Sequence, residues 1–142
     1  MIGNRIIHAV IDTNVLVSSL FSSKDTSNPA QVIKAVICGV ITPLYNEEII
    51  EEYREVLHRA KFNFDSSLIQ NLIDVFTKYG INVSRTNVVD ESFPDLDDIV
   101  FYEVAMSVDD AYLVTGNIKH FPSKPFVVTP AQMVEIIRNI RR

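Results

Sequence analysis

Short runs rich in aliphatic and β-branched residues alternate with longer amphipathic runs throughout this chain, and that alternation restricts its fold more than any other feature. The short runs predict buried strands at 6–11, 40–45, 81–83, 111–115 and 126–128. Such a pattern is typical of an α/β fold, here a three-layer α/β/α sandwich around a mainly parallel sheet. The length of 142 residues and the lack of a linker-like stretch predict a single domain over 1–142.

The helical runs lie between residues that begin and end helices. These residues are Asn28 with Pro29, Gly39, Asn46, Asp65, Gly80 and the Thr-Pro-Ala-Gln capping box at 129–132. Other helices are expected over 15–21, 98–106 and 133–140, with a polar acidic loop ahead of residue 98. Pro43 interrupts the second strand and predicts that this strand is short or at an edge.

Composition excludes several classes of function. The net charge of −5 argues against a protein that holds nucleic acid by overall charge, but a nuclease with a metal-neutralised acidic site stays open. One cysteine permits neither an internal disulfide nor a cysteine-based zinc site. The chain shows no signal peptide and no apolar stretch near the ~20 residues of a membrane span, so a cytoplasmic protein without membrane contact is expected.

Polar residues follow two of the predicted strands. Asp12, Thr13 and Asn14 come directly after the first strand. Thr115, Gly116 and Asn117 come at the end of the fourth. Ligands of open α/β sheets bind beyond the carboxyl ends of strands, so we expect the two segments to meet in one cleft.

Further acidic candidates lie on helices, and each has a structural alternative. Asp12 suits a helix cap and a catalytic role about equally. Glu52, at the edge of the buried face of its helix, is on its own more typical of a solvated helix surface. Asp98 on its own is more typical of a helix cap, and Asp95 and Asp97 of a solvated loop.

Three segments together resemble the PIN domain, a family of metal-dependent ribonucleases. They are VIDTNVLVSSL, EEIIEEYREVLHRAKF and PDLDDIVFYEVAMSVDDAYLVTGNIKHFP, and the resemblance runs from residue 7 to about 129. It implies that Asp12, Glu52 and Asp98 are the catalytic acids of an RNA-hydrolysing site. The VTGNIKHFP segment is similar to toxins of toxin–antitoxin pairs, which implies an RNA substrate, an antitoxin partner and a homodimer.

Carboxylate oxygens without cysteine or clustered histidine favour Mg²⁺ or Mn²⁺. Asp12 and Asp98 are expected to hold one ion, and Glu52 to bind a second ion or orient the attacking water. Around them, Thr13 and Asn14 are expected to fix Asp12 by hydrogen bonds, and Thr115 and Asn117 to orient water or phosphate. The candidates for contacts with RNA phosphates are Lys119, His120 and Arg54.

Asn117 is a departure from the PIN pattern, because many members carry a fourth aspartate directly after the Thr-Gly pair. An amide oxygen accepts hydrogen bonds but brings no charge. The alternative function is therefore a catalytically weakened PIN-like module that binds RNA or protein. A phosphatase-like hydrolase with Asp12 as nucleophile ranks lower, because Asn14 stands where such enzymes usually need a second aspartate.

Overall fold

The fold is known from a computed structural model, which describes residues 6–22, 26–85 and 93–140. These residues form strands β1 (Ile7–Ile11), β2 (Ile41–Tyr45), β3 (Ile81–Asn82), β4 (Tyr112–Val114) and β5 (Val127–Val128). Their α-helices are α1 (Thr13–Phe21), α2 (Asn28–Ile37), α3 (Glu47–Leu57), α4 (Ser66–Tyr79), α5 (Ile99–Met106) and α6 (Pro130–Ile140). The predicted polar loop lies partly outside these residues. The predicted α/β/α sandwich is confirmed, and every strand pair is parallel.

The sheet has the strand order β3-β2-β1-β4-β5, with β1 in the middle. The chain leaves β1 toward β2 and β3 on one side and later returns to β4 on the other. The backbone N–H of Asp12 donates to the Val114 carbonyl at 2.9 Å, which continues the pairing of β1 with β4 to the ends of both strands. The carboxyl ends of β1 and β4 therefore flank the point where the strand order reverses, which is the usual ligand crevice of an open sheet.

The core is continuous from the central strands to the helices. Ala9, Val10 and Ile11 of β1 are fully buried, as a strand covered on both faces requires. Helix α5 packs on β1, β2 and β4 and is almost entirely apolar, although it buries one carboxylate, Glu103. Within the described ranges, no helix has the length and apolar character needed to cross a membrane.

Pro43 does not mark an edge strand, and that expectation is wrong. Strand β2 lies between β1 and β3, with Pro43 opposite Ala9. Successive residues of a strand point their backbone N–H and C=O groups toward opposite neighbouring strands. The carbonyl of Tyr45 faces β3, because it accepts the Val83 N–H. The missing N–H of Pro43 faces that same side, but β3 pairs with β2 only from Leu44 onward. The proline thus removes no hydrogen bond from the sheet.

The predicted caps are confirmed with one exception. Asn46 and Asp65 each accept a backbone N–H at the start of their helices, at 3.0 and 2.7 Å. Thr129 and Gln132 form the reciprocal capping box. The exception is α2, where the hydroxyl of Ser27 accepts from the Ala30 N–H at 3.2 Å and Asn28 is already helical. The cap is therefore one residue earlier than the sequence suggested.

Candidate active site

Asp12 ends β1 with a carboxylate that is held by three donors. The Thr13 N–H donates to Oδ1 at 2.8 Å, so the residue does cap helix α1. The Thr115 hydroxyl and the Asn14 amide donate to Oδ2 at 2.8 and 3.2 Å. Asp12 is only 6% exposed, so this network fixes a buried carboxylate at the end of the central strand. In one side-chain position, Asp12 therefore both caps helix α1 and presents a carboxylate at the candidate site.

The two polar segments after β1 and β4 lie against each other. Asn14 Oδ1 accepts from the Gly116 N–H at 2.9 Å, and its amide N–H₂ reaches Asp12. Thr115, fully buried, also accepts from the Asn117 N–H at 2.9 Å through its hydroxyl oxygen. The side chains of Asn14, which follows β1, and of Thr115, which follows β4, therefore join the carboxyl ends of the two strands.

Asp98 lies at the start of α5 but does not act as its cap. Its side chain makes no capping hydrogen bond, whereas Asp95 caps the preceding one-turn 3₁₀ helix, Leu96–Asp98. Asp98 Oδ2 instead lies 3.3 Å from Nδ1 of His120, in the 3₁₀ turn Ile118–His120 that follows β4. The carboxylate of Asp98 is therefore turned toward the carboxyl end of β4.

Asp12 and Asp98 repel each other. Burial is the main cause that raises the pKa of Asp12 from 3.8 to about 6. The Thr115 hydrogen bond opposes that rise, and the negative charge of Asp98 adds to it. Burial and the neighbouring charge of Asp95 also raise the pKa of Asp98, while His120 lowers it. Two partly desolvated acids with mutual repulsion are typical of a cation site or a proton-transfer site.

Glu52 belongs to the same electrostatic environment. Its side chain is half-buried on α3, and that burial is the largest cause that raises its pKa from 4.5 to about 7. The charges of Asp97, Glu55 and Asp12 raise it further, and Arg59 lowers it. Glu52 is therefore not the solvated surface residue that its helix position alone suggested.

Two residues near the site had no distinct sequence signal. The Tyr53 hydroxyl, fully buried, donates to the Ile11 carbonyl at 2.5 Å and ties α3 to the end of β1. Its spacing indicated a core residue, which is correct, but a hydroxyl bond across 42 residues leaves no local pattern. Asp97 was expected to be a solvated loop residue, and it is exposed, yet its negative charge raises the pKa of Glu52.

The remaining candidates are exposed or partly exposed. Asn117 and Lys119 lie exposed after β4; Asn117 directly precedes the 3₁₀ turn that carries His120, and Lys119 is part of that turn. Arg54 is paired with Glu51 on the same helix at 3.1 Å. The structure thus brings His120 to the acids directly, whereas Arg54 has a carboxylate partner of its own.

The donor set at the site fits a hard divalent cation that keeps water ligands. Within 6–22, 26–85 and 93–140, no group of three or more Asp, Glu, His or Cys side chains is placed to hold a metal ion by itself. Mg²⁺ usually takes only one or two protein carboxylates and fills its other positions with water or phosphate oxygens. The Thr13 hydroxyl next to Asp12 is also buried without a hydrogen-bond partner, which leaves a polar atom for a bound ligand or its water.

Comparison with known families agrees with this geometry. The family model described as PIN domain matches residues 8–119, a span that contains Asp12, Glu52 and Asp98. A comparison with curated proteins and one with solved structures each give no match. The family match covers well over half of the chain, and the parallel sheet and the acids at its carboxyl end agree with it. This chain therefore belongs to the PIN domain family, whose members are generally nucleases.

Proposed function

We propose that this protein is a metal-dependent endoribonuclease that hydrolyses RNA phosphodiester bonds. The observation that carries the proposal is the buried carboxylate of Asp12, which interacts with the charge of Asp98 at the carboxyl end of the central strand. Two carboxylates in that position resist simultaneous ionisation unless a cation lies between them. The same cation would offset the negative charge of a phosphodiester during hydrolysis.

In this proposal Asp12 and Asp98 hold Mg²⁺ or Mn²⁺. The bound ion supplies positive charge beside the phosphate and acidifies a water ligand. Glu52 orients the attacking water and accepts its proton, a task that suits a half-buried carboxylate whose pKa is raised in the metal-free protein. Thr13, Asn14 and Thr115 keep the Asp12 carboxylate in place.

Phosphate binding is assigned to cationic groups at the rim of the cleft. His120 already contacts Asp98, and Lys119 precedes it in the same exposed turn. Arg54 would have to exchange its ion pair with Glu51 for a phosphate. Asn117 is left to orient water or phosphate.

Cleavage of single-stranded RNA in Mn²⁺, with and without chelator, tests the proposal. Asp12→Asn and Asp98→Asn should lose most of the activity because they remove cation ligands, and Glu52→Gln should lose on the order of 10²-fold or more because it removes the proton acceptor. Asp109→Asn, in an exposed turn, is the charge-matched control and should cleave like the wild type. If Asp12→Asn and Asp98→Asn cleave as well as that control, the assignment of the acids is wrong.

The second candidate function is a PIN-like module that binds RNA or protein without cleaving it. It is favoured by Asn117, which brings no charge to the cleft, and by the lack of a closed metal-binding group among the described residues. Calorimetric titration separates the two, since a binding module shows no uptake of Mg²⁺ or Mn²⁺ at millimolar concentration. Asn117→Asp should bind Mn²⁺ more tightly than the wild type if the missing carboxylate limits affinity.

We further propose a biological role as the toxin of a cytoplasmic toxin–antitoxin pair. The support is the resemblance of the VTGNIKHFP segment to such toxins, which also suggests a homodimer and an antitoxin that covers the cleft. Expression of the wild type should arrest growth of the host cell, and expression of Asp12→Asn should not. Equal growth with both would refute the toxin role and leave the nuclease assignment to the cleavage assay.

A further inference from the structure

Arg85, which follows β3, binds a carboxylate on each of two helices. Its Nη1 donates to Oε2 of Glu48 on α3 at 2.7 Å. Its Nε donates to Oε1 of Glu103 on α5 at 2.7 Å, and its Nη2 lies 2.5 Å from the same oxygen. One guanidinium group thus connects α3 to α5.

The two carboxylates bound by Arg85 are near the proposed catalytic acids along their helices. Glu48 precedes Glu52 by four residues, about 6 Å along the axis of α3. Glu103 follows Asp98 by five residues, about 7.5 Å of helical rise. A shift of α3 relative to α5 would therefore change the separation of Glu52 and Asp98 directly.

Arg85 is well suited to hold this geometry. Glu103 is only 5% exposed, and a buried carboxylate without a cation is strongly unfavourable. Desolvation lowers the pKa of Arg85, but the hydrogen bonds to Glu48 and Glu103 outweigh it and the pKa is raised, so the guanidinium stays charged. The planar guanidinium fixes the direction of its hydrogen bonds as well as supplying a charge, whereas a lysine ammonium supplies a charge without a fixed direction.

We propose that Arg85 is a positioning residue for the catalytic carboxylates: it tethers α3 to α5 and thereby sets the separation of Glu52 and Asp98. This inference rests on the proposed nuclease function for its catalytic consequence, but the tether itself is a property of the fold. The competing explanation is that Arg85 only neutralises the buried Glu103.

Glu48→Ala and Glu51→Ala form a matched pair that separates these explanations. Each removes one exposed carboxylate from α3, with side chains 56% and 74% exposed. Glu48 lies in the first turn of α3, so its loss also weakens the N-terminus of that helix, and the two variants are therefore compared at α5 and at the metal site. Only Glu48 bridges to α5 through Arg85, whereas Glu51 pairs with Arg54 on its own helix. Neither substitution leaves Glu103 without its cation.

Glu48→Ala should weaken Mn²⁺ binding by between about twofold and thirtyfold in calorimetry and lower kcat on single-stranded RNA, while KM changes little. Glu51→Ala should match the wild type in Mn²⁺ affinity; because it also frees Arg54 for phosphate, the two variants are compared by Mn²⁺ affinity and hydrogen exchange and not by RNA cleavage. In metal-free protein, Glu48→Ala should speed amide hydrogen exchange in α5, and Glu51→Ala should not. Identical behaviour of the two variants in exchange and in Mn²⁺ affinity would overturn the proposal.

The Arg85→Met/Glu103→Met double variant tests the stability explanation. Removing both charges should restore most of the thermal stability that Arg85→Met alone loses, because the buried carboxylate that has lost the guanidinium charge is gone. Mn²⁺ affinity should stay weak, because Glu48 still lacks its partner. Recovery of both properties would reduce Arg85 to a neutralising role. If the wild type neither binds Mn²⁺ nor cleaves RNA, the proposed function fails, and hydrogen exchange still decides whether the tether exists.

Discussion

The carboxylate of Asp12 is held in place by hydrogen bonds and penalised by burial at the same time. Thr13, Asn14 and Thr115 all donate to it, and those bonds favour the charged form. The cost of burying the charged form exceeds the gain from those bonds, and the negative charge of Asp98 adds to that cost. The pKa of Asp12 is therefore raised to about 6. In the metal-free protein this residue therefore prefers to be protonated at a pH where an unfolded chain would ionise it.

The raised pKa of Asp12 predicts that the stability of the metal-free protein depends on pH. The unfolded aspartate releases its proton near pH 3.8 and the folded one near pH 6, so rising pH favours the unfolded state across this window. The full loss is on the order of 3 kcal/mol and is complete somewhat above pH 6. Urea unfolding in chelator at pH 4.5 and pH 8 measures about two thirds of this loss, because the unfolded carboxyl group is already largely ionised at pH 4.5. Glu52 adds to the loss, because its pKa is also raised, to about 7.

Asp12→Asn provides the control for this prediction. The amide cannot ionise, so the variant should lose less stability between the two pH values, although at each pH it also loses an acceptor oxygen to which neighbouring donors point. The exposed Asp109→Asn should keep the wild-type slope. Equal slopes for the wild type and Asp12→Asn would contradict the prediction and show that burial does not disfavour the ionised Asp12.

Single residues show where sequence interpretation works and where it stops. The positions of Asp12 and Thr115 followed from the ends of apolar runs, because strand length and polarity are local properties. The candidate role of Asp98 was predicted only through the family resemblance, since a helix cap and a cleft carboxylate have the same local sequence signal. Arg85 gave no signal either, because its partners are 37 and 18 residues away.

Element boundaries were better predicted than element pairing. Gly39 and Gly80 both end helices as expected, but for different physical reasons. Gly39 has φ +82°, in the left-handed region, with open space around its Cα. Gly80 has an ordinary backbone, and an added Cβ would collide with the carbonyl oxygens of Phe76 and Pro43. The pairing error at Pro43 arose because the position of β3 depends on contacts that no local pattern contains.

Substitutions at the two glycines should separate conformational strain from steric collision. Gly39→Ala should lower the free energy of unfolding by about 1 kcal/mol, and Gly39→Asn by less, because asparagine tolerates the left-handed region. Gly80→Ala and Gly80→Asn should both lower it by about 1–3 kcal/mol, because any Cβ meets the carbonyl of β2. Urea denaturation of the four variants tests this. A Gly80→Asn variant as stable as the wild type would exclude the collision.

At the scale of the whole molecule, the strand order determines where the acids meet. β1 is central, and the chain leaves it in one direction and reaches β4 from the other, so polar residues 103 positions apart become hydrogen-bond partners. The α/β class follows from the alternation of apolar runs, but the order β3-β2-β1-β4-β5 depends on pairing between distant strands. The crevice is thus a property of topology, and its chemistry is a property of the few residues at the ends of β1 and β4 and on α3 and α5.

Cation binding at this crevice should stabilise the entire domain and should depend on pH. Mn²⁺ at a hundredfold excess over its Kd should add about 2.7 kcal/mol at pH 8, which corresponds to a rise in Tm of roughly 5–10 °C. The rise should shrink at pH 5, because protons compete for Asp12 and Glu52, whose pKa values are about 6 and about 7. Differential scanning calorimetry of the wild type and of Asp12→Asn/Asp98→Asn measures both effects.

The double variant should show no rise in Tm at either pH. A rise equal to that of the wild type would place the ion elsewhere, and the alternative would be the row of exposed and half-exposed glutamates along α3, Glu47, Glu48, Glu51, Glu52 and Glu55. Those side chains lie along a single helix, whereas Asp12 and Asp98 come from distant segments joined only in the folded state. The loss of the shift in Tm in the double variant therefore reports whether the cation lies at the carboxyl end of β1.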